Sequence, residues 1–184
     1  MRPSTILKSA AAGYYNMSYN FRRGVQFIGD ISGSDDSDRN TGIDFEDDYI
    51  ALVTGGSKSF VLSGSSVGIA TNSPTSNLHV AGTFSLPITV IDGVSNAIGS
   101  AHHTVLLNAG SGNCAAQLPA ASGIAGRIYV FKRIDSSHNH VKVQSNGSEE
   151  IEGSTNDLDM NNQNESFTLQ CDGTRWWIIS DNHV

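Results

Sequence analysis

Carboxylates and amides dominate the side chains capable of chemistry here, so the first question is whether any spacing turns them into a site. Asp35, Asp36, Asp38, Asn40, Asp44, Glu46, Asp47 and Asp48 offer the oxygens that Ca²⁺ collects, roughly six to eight at a time. Asp36, Asp38 and Asn40 have the alternate spacing of an EF-hand loop. However, Thr41 stands where that loop needs a glycine, and the flanks read as strands, not helices. A solvated turn is expected. His138 and His140, two apart, would share one side of a strand, and several chains meeting on an axis could gather such imidazoles around a transition metal. Ser136-Ser137-His138-Asn139 reads as an outward turn instead, and the adjacent His102-His103 rings diverge. No metal and no cofactor is expected.

Hydrolysis of glycans needs two carboxyls opposed across a sugar ring. Glu149, Glu150, Glu152, Asp157, Asp159 and Glu165 supply acids without such a constellation. Gly-x-Ser-x-Gly, His-Glu-x-x-His and a phosphate-cradling loop ending in Lys are all missing from the sequence. The expectation is that the protein is not an enzyme. Sugar binding without catalysis asks for less: an aromatic face and planar polar groups. Asn139, Asn146, Asn161, Asn162 and Asn164 provide the amides, and the Trp176-Trp177 pair the ring, with Trp176 as the candidate. Neighbours on one strand face opposite ways, so one tryptophan points inward. An outward tryptophan serves a contact between subunits as readily as a sugar.

These residues need elements to hold them, and the composition points to strands. The 184 residues include 19 Gly and 4 Pro, with 38% hydrophobic and 8% aromatic residues, which suits short strands joined by many turns. A formal charge of -7 argues against nucleic acid as partner, because phosphate binding needs a basic stripe. Cys114 and Cys171 are too few and too far apart for a closed zinc site and read as buried free thiols. Ile6-Leu7 is followed at once by Lys8, so no secretory leader is expected, and no run is long enough to insert in a membrane.

Residues 1–24 differ from the rest in carrying Tyr14, Tyr15, Tyr19 and Phe21 close together. Clustered rings suit an arm that anchors in another protein; the alternative is a short helix covering the chain's own first sheet. From 25 to 86 short alternating runs follow one another, such as Ile43-Asp44-Phe45-Glu46 and Tyr49-Ile50-Ala51-Leu52, with Gly55-Gly56 as a hairpin turn. This predicts a β-meander. Alternation resumes after Leu86-Pro87, and Ile128-Tyr129-Val130-Phe131, apolar on both faces, reads as a central strand. The segment 87–184 is expected to form an antiparallel β-sandwich.

Val67-Gly68-Ile69, the turn Ser73-Pro74-Thr75-Ser76 and Leu78-His79-Val80-Ala81-Gly82 together resemble the connector that recurs in bacteriophage tail-fibre and tailspike proteins. The usual pattern has Gly where this chain has Ala70. Thr104–Gly112, Leu118–Arg133, Asn146–Gly153 and Asp172–Ser180 are similar, in the expected order, to the C-terminal head module of many phage fibres. The resemblance implies an all-β homotrimer: a virion-attachment arm (1–24), a short β-meander or β-prism shaft with connector (25–86), and a sandwich head (87–184). It implies a non-enzymatic virion fibre, assembled in the bacterial cytoplasm, whose arm docks on other virion proteins and whose head meets a host-surface glycan or protein. The rival expectation is a purely structural head fibre or decoration protein; a glycan depolymerase ranks below both.

Overall fold

The computed structural model describes residues 31–32, 35–38 and 40–182. Among these the chain is all-β, without a helix. It divides into two compact units, residues 1–83 and 84–184. The candidates Tyr14, Tyr15, Tyr19 and Phe21 lie outside the described residues.

The first unit carries one six-stranded sheet whose strands lie side by side in chain order: β1 (Ile31–Ser32), β2 (Gly42–Glu46), β3 (Tyr49–Thr54), β4 (Ser57–Ser63), β5 (Ser66–Ile69) and β6 (Leu78–Val80). Neighbours from β1 to β5 pair antiparallel, as hairpin-linked strands must. Gly55 and Gly56 take φ of 57° and 73°, the two positive values that a tight turn matched to strand twist requires. β6 then runs parallel to β5, with Val67 opposite Leu78 and Ile69 opposite Val80. The return is tight: a Cβ on Gly68 would lie 2.4 Å from the Thr71 carbonyl oxygen, and Ala70 adopts φ 57°.

Register decides what each face presents, because paired residues point the same way. One row across the sheet reads Ile43, Leu52, Phe60, Ile69, Val80, and the next reads Phe45, Ile50, Leu62, Val67, Leu78. Phe45, Ile50, Leu52, Leu62, Ile69 and Leu78 are all exposed. The opposite face holds Asp44, Tyr49 and Lys58 above the buried Ala51 and Val61; Lys58 Nζ lies 2.7 Å from the Asp44 carboxylate and donates to the Tyr49 hydroxyl. The sheet is therefore amphipathic, and its apolar side is the side left open.

The second unit holds two sheets that share one core. β7 (Ile88–Ile91), β9 (Thr104–Leu107), β11 (Ile128–Arg133), β14 (Ser166–Cys171) and β15 (Trp176–Asn182) form a sheet of order β15-β14-β11-β9-β7. β8 (Asn96–Ala97), β10 (Cys114–Gln117), β12 (Val141–Gln144) and β13 (Leu158–Asp159) form one of order β13-β12-β10-β8. Val105, Leu107, Tyr129, Phe131, Phe167 and Leu169 from the first meet Cys114, Ala116, Val141 and Val143 from the second. Cys114 and Cys171 are both buried free thiols. β11 is central in its sheet, as its two apolar faces predicted.

Pairing departs from the expected antiparallel arrangement. β7, β9 and β11 are mutually parallel neighbours, as are β8, β10 and β12; only β11–β14, β14–β15 and β12–β13 are antiparallel. From β7 to β12 each strand lies in the other sheet from its predecessor, so the chain re-enters a sheet after a full circuit, running in its earlier direction. Alternation within a strand reveals its buried face but not its partner, which is why the sequence left this winding unread.

Candidate functional site

Inward alternation along β11 places Tyr129, Phe131 and Arg133 in the core, and Arg133 is only 2% exposed. A buried guanidinium demands acceptors on every side. Its Nη1 donates to the carbonyls of Met160 (2.7 Å) and Asn161 (3.2 Å), and its Nη2 to those of Ser137 (2.6 Å) and Asn139 (3.1 Å). The Asp135 carboxylate neutralises it at 3.2 Å. Burial alone would push the Asp135 carboxyl up, but hydrogen bonds from the Ser137 hydroxyl, the Ala109 and Ser137 amides and Arg133 outweigh it and hold it well below the carboxylate range.

Arg133 thereby ties together two loops that carry candidate amides. Asn139 is half-buried and spends its Nδ2 on the Ala109 carbonyl at 2.7 Å. Asn161, Asn162 and Asn164 are exposed in the turn before β14, which the buried Glu165 staples by accepting from the Asn161 amide and, at 2.9 Å, from Asn162 Nδ2. Asn164 takes φ 72°, a conformation asparagine tolerates. Asn146 stands apart, in the turn after β12. The structure thus groups Asn139 with Asn161, Asn162 and Asn164 through Arg133, a residue the sequence reading missed. The signal was there: the alternation that buries Tyr129 and Phe131 buries Arg133 too.

Beside that turn, a groove of about 570 Å³ crosses the outer face of the four-stranded sheet over Ala115, lined by His140, Lys142, Gln144, Asp159 and Asn161. Lys142 approaches Asp157 at 3.5 Å and Asp159 at 3.6 Å, and Gln144 donates to Asp157 at 3.1 Å. These groups satisfy one another and present no aromatic surface.

Trp176 does not serve as an exposed platform. It is wholly buried, its ring 5.4 Å from that of Tyr129, which corrects its assignment as the sugar-facing tryptophan. Trp177 is the outward one, 40% exposed. Its Nε1 donates to Asp172 Oδ2 at 2.7 Å, and the Arg175 guanidinium lies 5.7 Å from its ring centre. Asp172 also accepts from the Thr174 amide and hydroxyl and the Arg175 amide. The bonds from Trp177 and then Thr174 hold its carboxyl well below the ordinary range.

His138 and His140 are exposed, in the loop leading to β12. In the acidic segment, Asp36 accepts from the Thr41 amide at 2.7 Å and Asp38 from Asn40 Nδ2 at 2.6 Å, the bonding of a polar turn. Among the described residues no group of three or more His, Cys, Asp or Glu could hold a metal ion. No helix there is long and apolar enough to cross a membrane. No protein-family model matches the chain, and no curated protein matches its sequence.

Proposed function

We propose that the chain is the subunit of a non-enzymatic, homotrimeric bacteriophage virion fibre whose C-terminal unit contacts the host cell surface. The observation that carries this reading is the apolar side of the six-stranded sheet, two rows of aliphatic and aromatic residues of which Phe45, Ile50, Leu52, Leu62, Ile69 and Leu78 are exposed and Ile43, Phe60, Val67 and Val80 half-buried, while the reverse side covers Ala51 and Val61 with Asp44, Tyr49 and Lys58. Apolar area returned to water forfeits about 25 cal/mol per Å², and open sheet edges invite uncontrolled pairing. Further copies of the same sheet cover that face. That there are three of them rests on the resemblance to fibre connectors and heads.

The second unit supports the same reading independently. The outer side of β7, β9 and β11 carries Ile88, Val90, Leu106, Ile128 and Val130 beside Thr104 and Lys132, with Ile88 and Val90 exposed, whereas the outer side of the four-stranded sheet carries Gln117, Lys142, Gln144 and Asp159 beside Ala115. One side suits contact between copies and the other suits water and a receptor. In this reading the arm at 1–24 docks on other virion proteins, and three weak head sites act together, which raises avidity by roughly two to four orders of magnitude.

The reading is tested by applying the labelled full-length chain to a panel of bacterial strains, beside Leu52→Glu, which puts a charge in the middle of the apolar rows. Retention on some strains, lost by about a hundredfold or more in the variant, is the expected result. A trimer retained on no strain would move the assignment to a structural virion component. Release of reducing sugar from envelope material would overturn the non-enzymatic reading.

A further inference from the structure

We infer that Trp177, with Gln170 and Asp172, forms a subsite for one neutral pyranose residue of a surface glycan, on the edge strand β15. The inference rests on the receptor-binding reading above and deepens it. Trp177 and Gln170 are cross-strand partners on the outer side of the five-stranded sheet, so ring and amide project together. A depression of about 460 Å³ opens there, bordered by Ala125, Gly126, Gln170, Asp172, Trp177 and Ile179. Ala125 and Gly126 keep one wall low, and Ile179, 52% exposed, continues the apolar floor.

Each part suits a sugar. An indole face packs against the C–H surface of a pyranose, and planar amide and carboxylate groups beside it meet the hydroxyls. The ring is held in advance, with Nε1 bonded to Asp172 and Asp172 fixed in turn by Thr174 and the Arg175 amide. A pre-set ring loses little freedom on binding. Local charge favours one class of sugar: the Arg175 guanidinium, 5.7 Å from the ring centre, is paired with Glu150, so that with Asp172 two carboxylates stand against one guanidinium beside the ring. On a chain of formal charge -7, a uronic or sialic acid would be repelled while a neutral hexose would not.

The position also separates this surface from the contact between copies. β15 is the edge strand and β11, the nearest strand of that contact side, lies two strands away, about 10 Å at the usual strand spacing, with Ser166, Thr168 and Gln170 as the outward residues of β14 between them. That polar row divides Trp177 from the apolar side at β7, β9 and β11.

Two tryptophans per chain give two indole N–H signals in ¹⁵N NMR of the full-length protein, and Trp177→Phe assigns them. Titration with the methyl glycosides of glucose, galactose, mannose and rhamnose should move the Trp177 signal with at least one of them, saturating at about millimolar concentration, while Trp176 stays still. Galacturonate should bind about tenfold more weakly or worse, and Trp177→Ala should lose about tenfold or more in sugar affinity by calorimetry, with unchanged sedimentation. Three results would each overturn the subsite: no movement with any neutral glycoside up to about 100 mM, equal binding of galacturonate, or dissociation of the assembly by Trp177→Ala. Sugar binding by a wild-type chain that sediments as a monomer would keep the subsite and refute the fibre.

Discussion

Arg133 and Asp135 form the buried ion pair of the second unit. Removing one partner of a buried pair leaves the other charge unsatisfied, so Asp135→Asn should cost about 3 kcal/mol, read from denaturant unfolding. The Asp135 carboxyl is depressed below its ordinary value of 3.8. Its contribution to stability is therefore complete above that value and is lost as pH falls through and below it. An acid titration of unfolding should show this loss in the wild type and a flatter profile in Asp135→Asn. Ala70 makes the opposite kind of point: an L-residue at φ 57° carries a steric penalty that glycine lacks, so Ala70→Gly should stabilise the first unit by about 1 kcal/mol.

Elements show where sequence reasoning reached and where it stopped. Hairpin glycines and period-two alternation identified the β2–β5 meander, because both are local properties of a few consecutive residues. The central place of β11 was equally legible from its two apolar faces. Parallel pairing was not, since which strands become neighbours depends on circuits of the chain that no short window contains. Within the candidate site, alternation could say that one of Trp176 and Trp177 faces outward without saying which; the pairing of Cys171 with Trp176 on the core side decides it. Gly68 tests the tight return between β5 and β6. A methyl group there meets the Thr71 carbonyl, so Gly68→Ala should destabilise the first unit by about 2 kcal/mol, visible as an earlier thermal transition that leaves that of the second unit in place.

Over the whole molecule, the distribution of apolar surface matters more than any single group. The first unit buries only Ala51 and Val61 among its described hydrophobic residues, the second a continuous core between its two sheets, and each leaves apolar residues exposed on a sheet side, Ile50, Leu52 and Leu62 in one and Ile88 and Val90 in the other. Leu52→Glu should therefore shift the chain to a smaller species without abolishing its strand signal in circular dichroism. A formal charge of -7 per chain disfavours contact with other acidic surfaces, most at low salt. Sedimentation equilibrium of the purified full-length chain at micromolar concentration tests the central proposition most directly. Self-covering sheets predict an oligomer, and the proposed fibre a single species of three times the 19.5 kDa chain mass; a compact monomer that unfolds cooperatively at the same concentration would contradict both.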